Sequence, residues 1–155
     1  MAIKSVKIIQ KLWGFVEILL GKLAPLADLA ARLYIANIFF LAGKNKFQDW
    51  AGTLDLFRYE YHVPLVSPEF AAVSGTAGEL TFSVLLALGL FTRFSACGLF
   101  VLNIVAFFSY YETLIKYDAA VHDHIEWGLI LALLIVTNVR ALTLDNLVLR
   151  RLLKK

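Results

Sequence analysis

Charge is scarce in this chain. Asp, Glu, Lys and Arg make up 17% of its 155 residues, and the formal net charge is only +3. The basic residues are scattered among apolar segments, with no basic stripe carrying interleaved aromatics, which excludes a nucleic-acid partner. Cysteine is almost absent. Cys97 stands alone, so an internal disulfide and a cysteine-held iron–sulfur cluster are both excluded. It lies in an apolar run and is expected to be a small buried packing residue. No flavin, haem-attachment or iron–sulfur motif is present, so the chain cannot carry out electron transfer by itself. Histidine occurs three times and proline three times. A basic N-terminus occurs without an uninterrupted apolar run and small-residue cleavage site behind it, so a cleavable signal peptide is not expected.

What the chain does have is apolar length. Hydrophobic residues make up 60%, against roughly 45–50% in an ordinary soluble domain. A soluble protein this small could not hide that much apolar surface. Four segments, about 26–43, 70–90, 94–111 and 119–139, each approach the ~20 residues needed to cross a bilayer. Before them, Ile9, Leu12, Trp13, Val16, Leu19, Leu20 and Leu23 follow a helical rhythm, with Lys7, Lys11 and Glu17 opposite. Residues 1–25 therefore read as a basic amphipathic helix on the membrane surface, ended by Pro25. The expected fold is an all-α membrane protein. It has this surface helix followed by a four-transmembrane-helix bundle over residues 26–155. The short Phe91-Thr92-Arg93 link makes the second and third spans an antiparallel hairpin.

Lys and Arg placement sets the expected orientation. Lys4, Lys7, Lys11 and Lys22 precede the first span, Arg93 lies in the tight link, and Arg140, Arg150, Arg151, Lys154 and Lys155 follow the last. Both termini are therefore expected in the cytoplasm, with the chain multi-pass in the inner membrane. The 44–69 connection lies on the outer side. Its Leu54, Phe57, Val63, Leu65 and Val66 predict that it folds down onto the bundle.

Ionisable groups inside the spans need a reason to be there. Glu79, near the middle of the second span, reads either as a proton-accepting or headgroup-binding carboxyl, or as a structural group bonded to Asn103 or a neighbouring helix. Arg32 either snorkels to the lipid headgroups or faces inward toward an acid. His122 and Glu126 share a helical face and supply two ligands at most, one short of the smallest zinc site. Asn37 and Asn103 read as interhelical hydrogen bonders.

Three stretches resemble the DoxX family of small bacterial membrane proteins. The first is Arg32-Leu-Tyr-Ile-Ala-Asn-Ile-Phe-Phe-Leu-Ala-Gly43-Lys-Asn-Lys46. The second runs from Leu56-Phe-Arg-Tyr-Glu-Tyr61 through Val63-Pro-Leu65, Pro68-Glu69, Thr76 and Glu79 to Leu88-Gly-Leu-Phe-Thr-Arg93. The third is His124-Ile-Glu-Trp127, followed by Leu142-Thr-Leu-Asp145. The resemblance implies a four-helix fold associated with respiratory or redox complexes, including subunits of thiosulfate:quinone oxidoreductases and partners of oxidative-stress enzymes. It also singles out His124, which either exchanges protons and bonds a quinone carbonyl, or is tied to Glu60 or Tyr61 of the connection. On this basis a quinone is the expected ligand, in a pocket of Glu79, His124, Trp127, Glu60 and Tyr61. The bilayer, a partner redox protein or a second copy are the expected partners. A non-catalytic membrane anchor, or a small transport or metal-handling protein, remains an open alternative.

Overall fold

The computed structural model describes residues 2–137 and 141–152, with side chains described for 10–137, 141–148 and 151. Asn138, Val139, Arg140, Lys154 and Lys155, used above for the end of the last span and for orientation, lie outside the described residues. Among the described residues seven helices follow one another: α1 (Ala2–Gln48), α2 (Trp50–Tyr59), α3 (Pro68–Leu88), α4 (Thr92–Ser109), α5 (Tyr111–Leu114), α6 (Asp118–Val136) and α7 (Leu144–Leu152). α1, α3, α4 and α6 are long and apolar enough to cross a membrane. The protein is an all-α, four-span membrane protein.

Two expectations about the first helix are corrected. Pro25 does not end it: α1 runs unbroken through the proline. A proline ring clashes with the carbonyl four residues back. Here that carbonyl belongs to Gly21, and the helix nonetheless continues past the ring. α1 also continues past Gly43 to Gln48, so the start of the supposed 44–69 loop is helical. At ~1.5 Å per residue, α1 is about 70 Å long, more than twice a ~30 Å hydrocarbon core.

The bundle packs α1 on α3, α3 on α4, and α4 on α6. Its centre is a cluster of Ile35, Phe39, Leu86, Ala96, Leu99, Leu131 and Leu134. Around it the outward faces remain apolar, as lipid requires. Cys97 belongs to that outward face of α4 and is exposed, not buried. The neighbouring Ala96 is the residue that turns inward.

Helix ends are closed by identifiable groups. Ser67 caps α3 at Phe70 N (3.2 Å), with Pro68 in the first turn. Gly89 ends α3 in the left-handed conformation (φ +67°) that glycine accepts most readily. α4 has no local cap. Its N-terminus is closed by Asp145 of the C-terminal segment, whose carboxylate accepts from Phe91 N (2.8 Å), Thr92 N (3.0 Å) and Thr92 Oγ1 (3.0 Å). Asp145 N returns a bond to Gly89 O (3.0 Å).

Candidate functional site

At the α7 end of the bundle, Arg32 is wholly buried. It neither snorkels nor reaches Glu79. Its Nε donates to Asp28 (2.9 Å), one turn back. Nη1 donates to Leu86 O (3.3 Å) and Ala87 O (3.4 Å), and Nη2 to Leu142 O (2.7 Å). The carbonyls at the end of α3 and the start of the C-terminal segment are thereby tied to α1. A Cβ on Gly89 would come within 2.8 Å of both Arg32 Nη1 and the Thr143 backbone. This is a packed structural joint.

The other end is built differently. α1 and α3 approach closely at Gly43, where an added Cβ would lie 3.0 Å from Glu79 Cβ. One turn further along α1, Lys46 reaches Glu79 and donates to both of its carboxylate oxygens, at 2.7 and 2.8 Å. Both side chains are mostly buried, 17% and 11% exposed. Glu79 therefore pairs with α1 and not with Asn103. The lysine's backbone is held in turn by Thr53, whose Oγ1 donates to Lys46 O (2.9 Å).

Beside this pair lies a cavity of about 350 Å³, lined by Lys46, Glu79 and Tyr61 among apolar residues that include Phe57, Phe70 and Leu102. Its wall is the connection before α3. Phe57 packs on Ala71 and Ala72. Tyr61 is stacked between Phe57 and Tyr110, each centroid 4.8 Å away. His62 N donates to Ser109 O (2.9 Å), pinning the segment to α4. Leu65 does not fold down as expected: it is fully exposed, with φ +71°. The turn at Pro64 puts it outward while Val63 packs inward. Burial pushes the Tyr61 phenol well above its ordinary pKa, and the Glu79 carboxylate adds to the effect. Tyr61 is therefore a neutral hydrogen-bond donor at the cavity.

The structure thus brings together Glu79 and Tyr61 from the expected pocket and adds Lys46. Glu60 turns away, accepting from Tyr110 OH (2.9 Å). Tyr110 is also raised in pKa, by burial and by that bond. His124 and Trp127 are not among the residues lining the cavity. His124 Nδ1 donates to Asn103 Oδ1 (2.8 Å), and Asn103 Nδ2 returns to His124 O (2.9 Å). That reciprocal pair locks α4 to α6 and replaces the expected tie to Glu60 or Tyr61. Trp127 lies against His124 (5.0 Å) and edge-on to Phe39 (6.1 Å). His122 and Glu126 do not converge: His122 Nδ1 bonds Asp118 O (2.8 Å), and Glu126 accepts from Tyr34 OH (3.0 Å). No group of three or more potential metal ligands occurs among the described residues.

The sequence profile of the DoxX family matches residues 27–112, more than half of the chain. The protein belongs to the DoxX family. The matched stretch contains Arg32, Lys46, Tyr61 and Glu79, and so both ends of the DoxX bundle described above. It stops before His124, Trp127 and Leu142–Asp145. No curated protein and no solved structure matches the chain.

Lys46 was the site residue missed in the sequence, although a signal for it exists. Arg32, Ile35, Phe39, Gly43 and Lys46 step along one helical face, so extending the buried rhythm of α1 past Gly43 reaches Lys46.

Proposed function

We propose that this DoxX protein is an accessory membrane subunit of a redox or stress-response complex, and that it holds a quinone headgroup in the cavity beside Lys46 and Glu79. The observation that carries the proposal is a buried ion pair exposed to an apolar cavity of about 350 Å³. An ammonium has three N–H donors. Two bond Glu79, which leaves one for a ligand, and Tyr61 OH supplies another. The ligand that suits these donors is neutral, carries carbonyl oxygens and has an apolar body. An anion would meet the Glu79 carboxylate beside the lysine. The basic excess before the first span supports placing the termini in the cytoplasm and the cavity near the outer leaflet of a bacterial inner membrane. Electrons would come from a partner protein, because this chain has no redox motif.

The test is binding of a decyl-tailed benzoquinone to the purified protein, alongside extraction of any quinone that co-purifies. Lys46→Met and Glu79→Gln are expected to weaken binding about tenfold or more. Unchanged binding by both variants would remove the proposed site.

A further inference from the structure

Asn37 is a polar residue in the spans that the bundle does not use. It lies on α1 between Arg32 at one end of the bundle and Lys46 at the other, well inside the stretch that crosses the hydrocarbon. Its side chain is exposed and has no hydrogen-bond partner among the described residues. The interhelical bond expected of it is therefore not made within one chain. Asn103, by contrast, is buried and fully engaged with His124. A carboxamide facing lipid tails has nothing to bond, so its natural place is against another transmembrane segment.

The surroundings of Asn37 fit such a contact. It opens onto a lipid-facing groove of about 390 Å³ between α1 and α3. The floor is made of small side chains: buried Ala36 and Ser83, with Ala87 one turn further along α3. Leu33 and Phe40, on the same face of α1 as Asn37, form an exposed ridge beside that floor. Small residues let helices approach closely, and a ridge adjoining a groove is what a twofold axis exchanges between copies.

We propose that two copies of this chain associate across the α1–α3 groove, each placing its Leu33–Phe40 ridge on the other's Ala36–Ser83 floor, with the two Asn37 amides bonded to each other. The choice of a second copy follows from the chemistry of the amide. It carries both a donor and an acceptor, so two related by a twofold satisfy one another and need no other polar residue. A different helix would have to bring its own polar group to the same depth. The groove is separate from the Lys46–Glu79 cavity, and the two proposals stand or fall independently.

The experiment uses the full chain with Cys97→Ser, because Cys97 is the sole cysteine and is exposed. A cysteine introduced at Asn37 should cross-link in membranes to a product of twice 17.4 kDa. One introduced at Leu129, exposed on α6, should not. With the cysteine-free chain diluted in liposomes and followed by energy transfer between labelled termini, Asn37→Leu should weaken association about tenfold, and Asn37→Gln should retain most of it. Because position 37 faces lipid, the leucine variant folds and the comparison is clean. Cross-linking to a product of another mass would assign the groove to a different protein. A monomer at every dilution, or equal association of wild type and Asn37→Leu, would overturn the proposal.

Discussion

The two ends of this bundle each bury a cation from α1 next to an acid, yet they are built for different ends. Arg32 makes four hydrogen bonds, one to Asp28 and three to backbone carbonyls from two other segments. Its planar fork has fixed directions, and the chain has closed around them. Lys46 makes two bonds, both to Glu79, and borders a cavity. An ammonium on a flexible stem can redirect its remaining donor without moving the backbone. A buried charge whose donors tie together main-chain carbonyls of two other segments is a joint. A buried charge with a donor to spare beside an open volume is a place for a ligand. The contrast lies in what the donors hold and in the adjoining volume, since each cation keeps one N–H beyond those bonded.

Breaking the Arg32 end should give the largest effect. Arg32→Ala leaves Asp28 buried without its counter-charge and strips donors from the Leu86, Ala87 and Leu142 carbonyls. Removing one partner of a buried pair costs ~3–5 kcal/mol, a large part of the ~5–15 kcal/mol that holds a domain folded. The variant is expected to fail in size-exclusion chromatography of detergent-solubilised protein or to melt far below wild type. Arg32→Lys should rescue little, because one ammonium cannot span the same carbonyls. A near-native melting temperature for Arg32→Ala would erase the distinction between the two ends.

The Lys46–Glu79 end should respond in a way that depends on pairing. Lys46→Met alone leaves a carboxylate in a mostly buried site, and a loss of about 2–3 kcal/mol is expected. Replacing both, Lys46→Met with Glu79→Leu, should bring stability back to within about 1 kcal/mol of wild type, since a buried pair exchanged for apolar groups is often neutral. Quinone binding should stay lost in the double variant. Thermal unfolding and binding measured on the same preparations make the check. A double variant as unstable as the single would mean the pair holds the helices together as Arg32 does.

Much of this layout is legible in the amino acids. The spans expected at 70–90, 94–111 and 119–139 are α3, α4 and α6 within a few residues, because apolar length is set by the bilayer and leaves little freedom. The ends of α1 were not legible. Proline usually ends a helix, and no residue near Pro25 signals that α1 continues through it. Lys44 and Lys46 look like loop charges until the buried rhythm of α1 is carried past Gly43. Glu79 could be nominated from its depth in a span, and Tyr61 from the family resemblance. Their common wall could not, because the stacking of Tyr61 between Phe57 and Tyr110 depends on how the connection folds back. His124 and Asn103 were each picked out singly. Their mutual bond joins two helices whose relative rotation no single-chain pattern fixes, and the same holds for the outward rotation of Asn37.

The smallest expected effect sharpens the comparison most. Tyr61→Phe deletes one oxygen and keeps the ring, so the stack with Phe57 and Tyr110 survives. Tyr61 lines the cavity, and stability should change by no more than about 0.5 kcal/mol. If its donor meets a quinone oxygen, affinity should fall about fivefold, the equivalent of ~1 kcal/mol for one neutral hydrogen bond. The phenol's pKa is raised by burial and by Glu79, so it stays protonated at pH values where an ordinary tyrosine has begun to ionise. Its share of binding should therefore be constant through neutral and mildly alkaline solution, and lost only as pH climbs through the raised pKa. Isothermal titration of wild type and Tyr61→Phe across that range separates the two outcomes. A constant gap between the curves places the hydroxyl on the ligand. Superimposed curves leave Tyr61 as a wall of the cavity and nothing more.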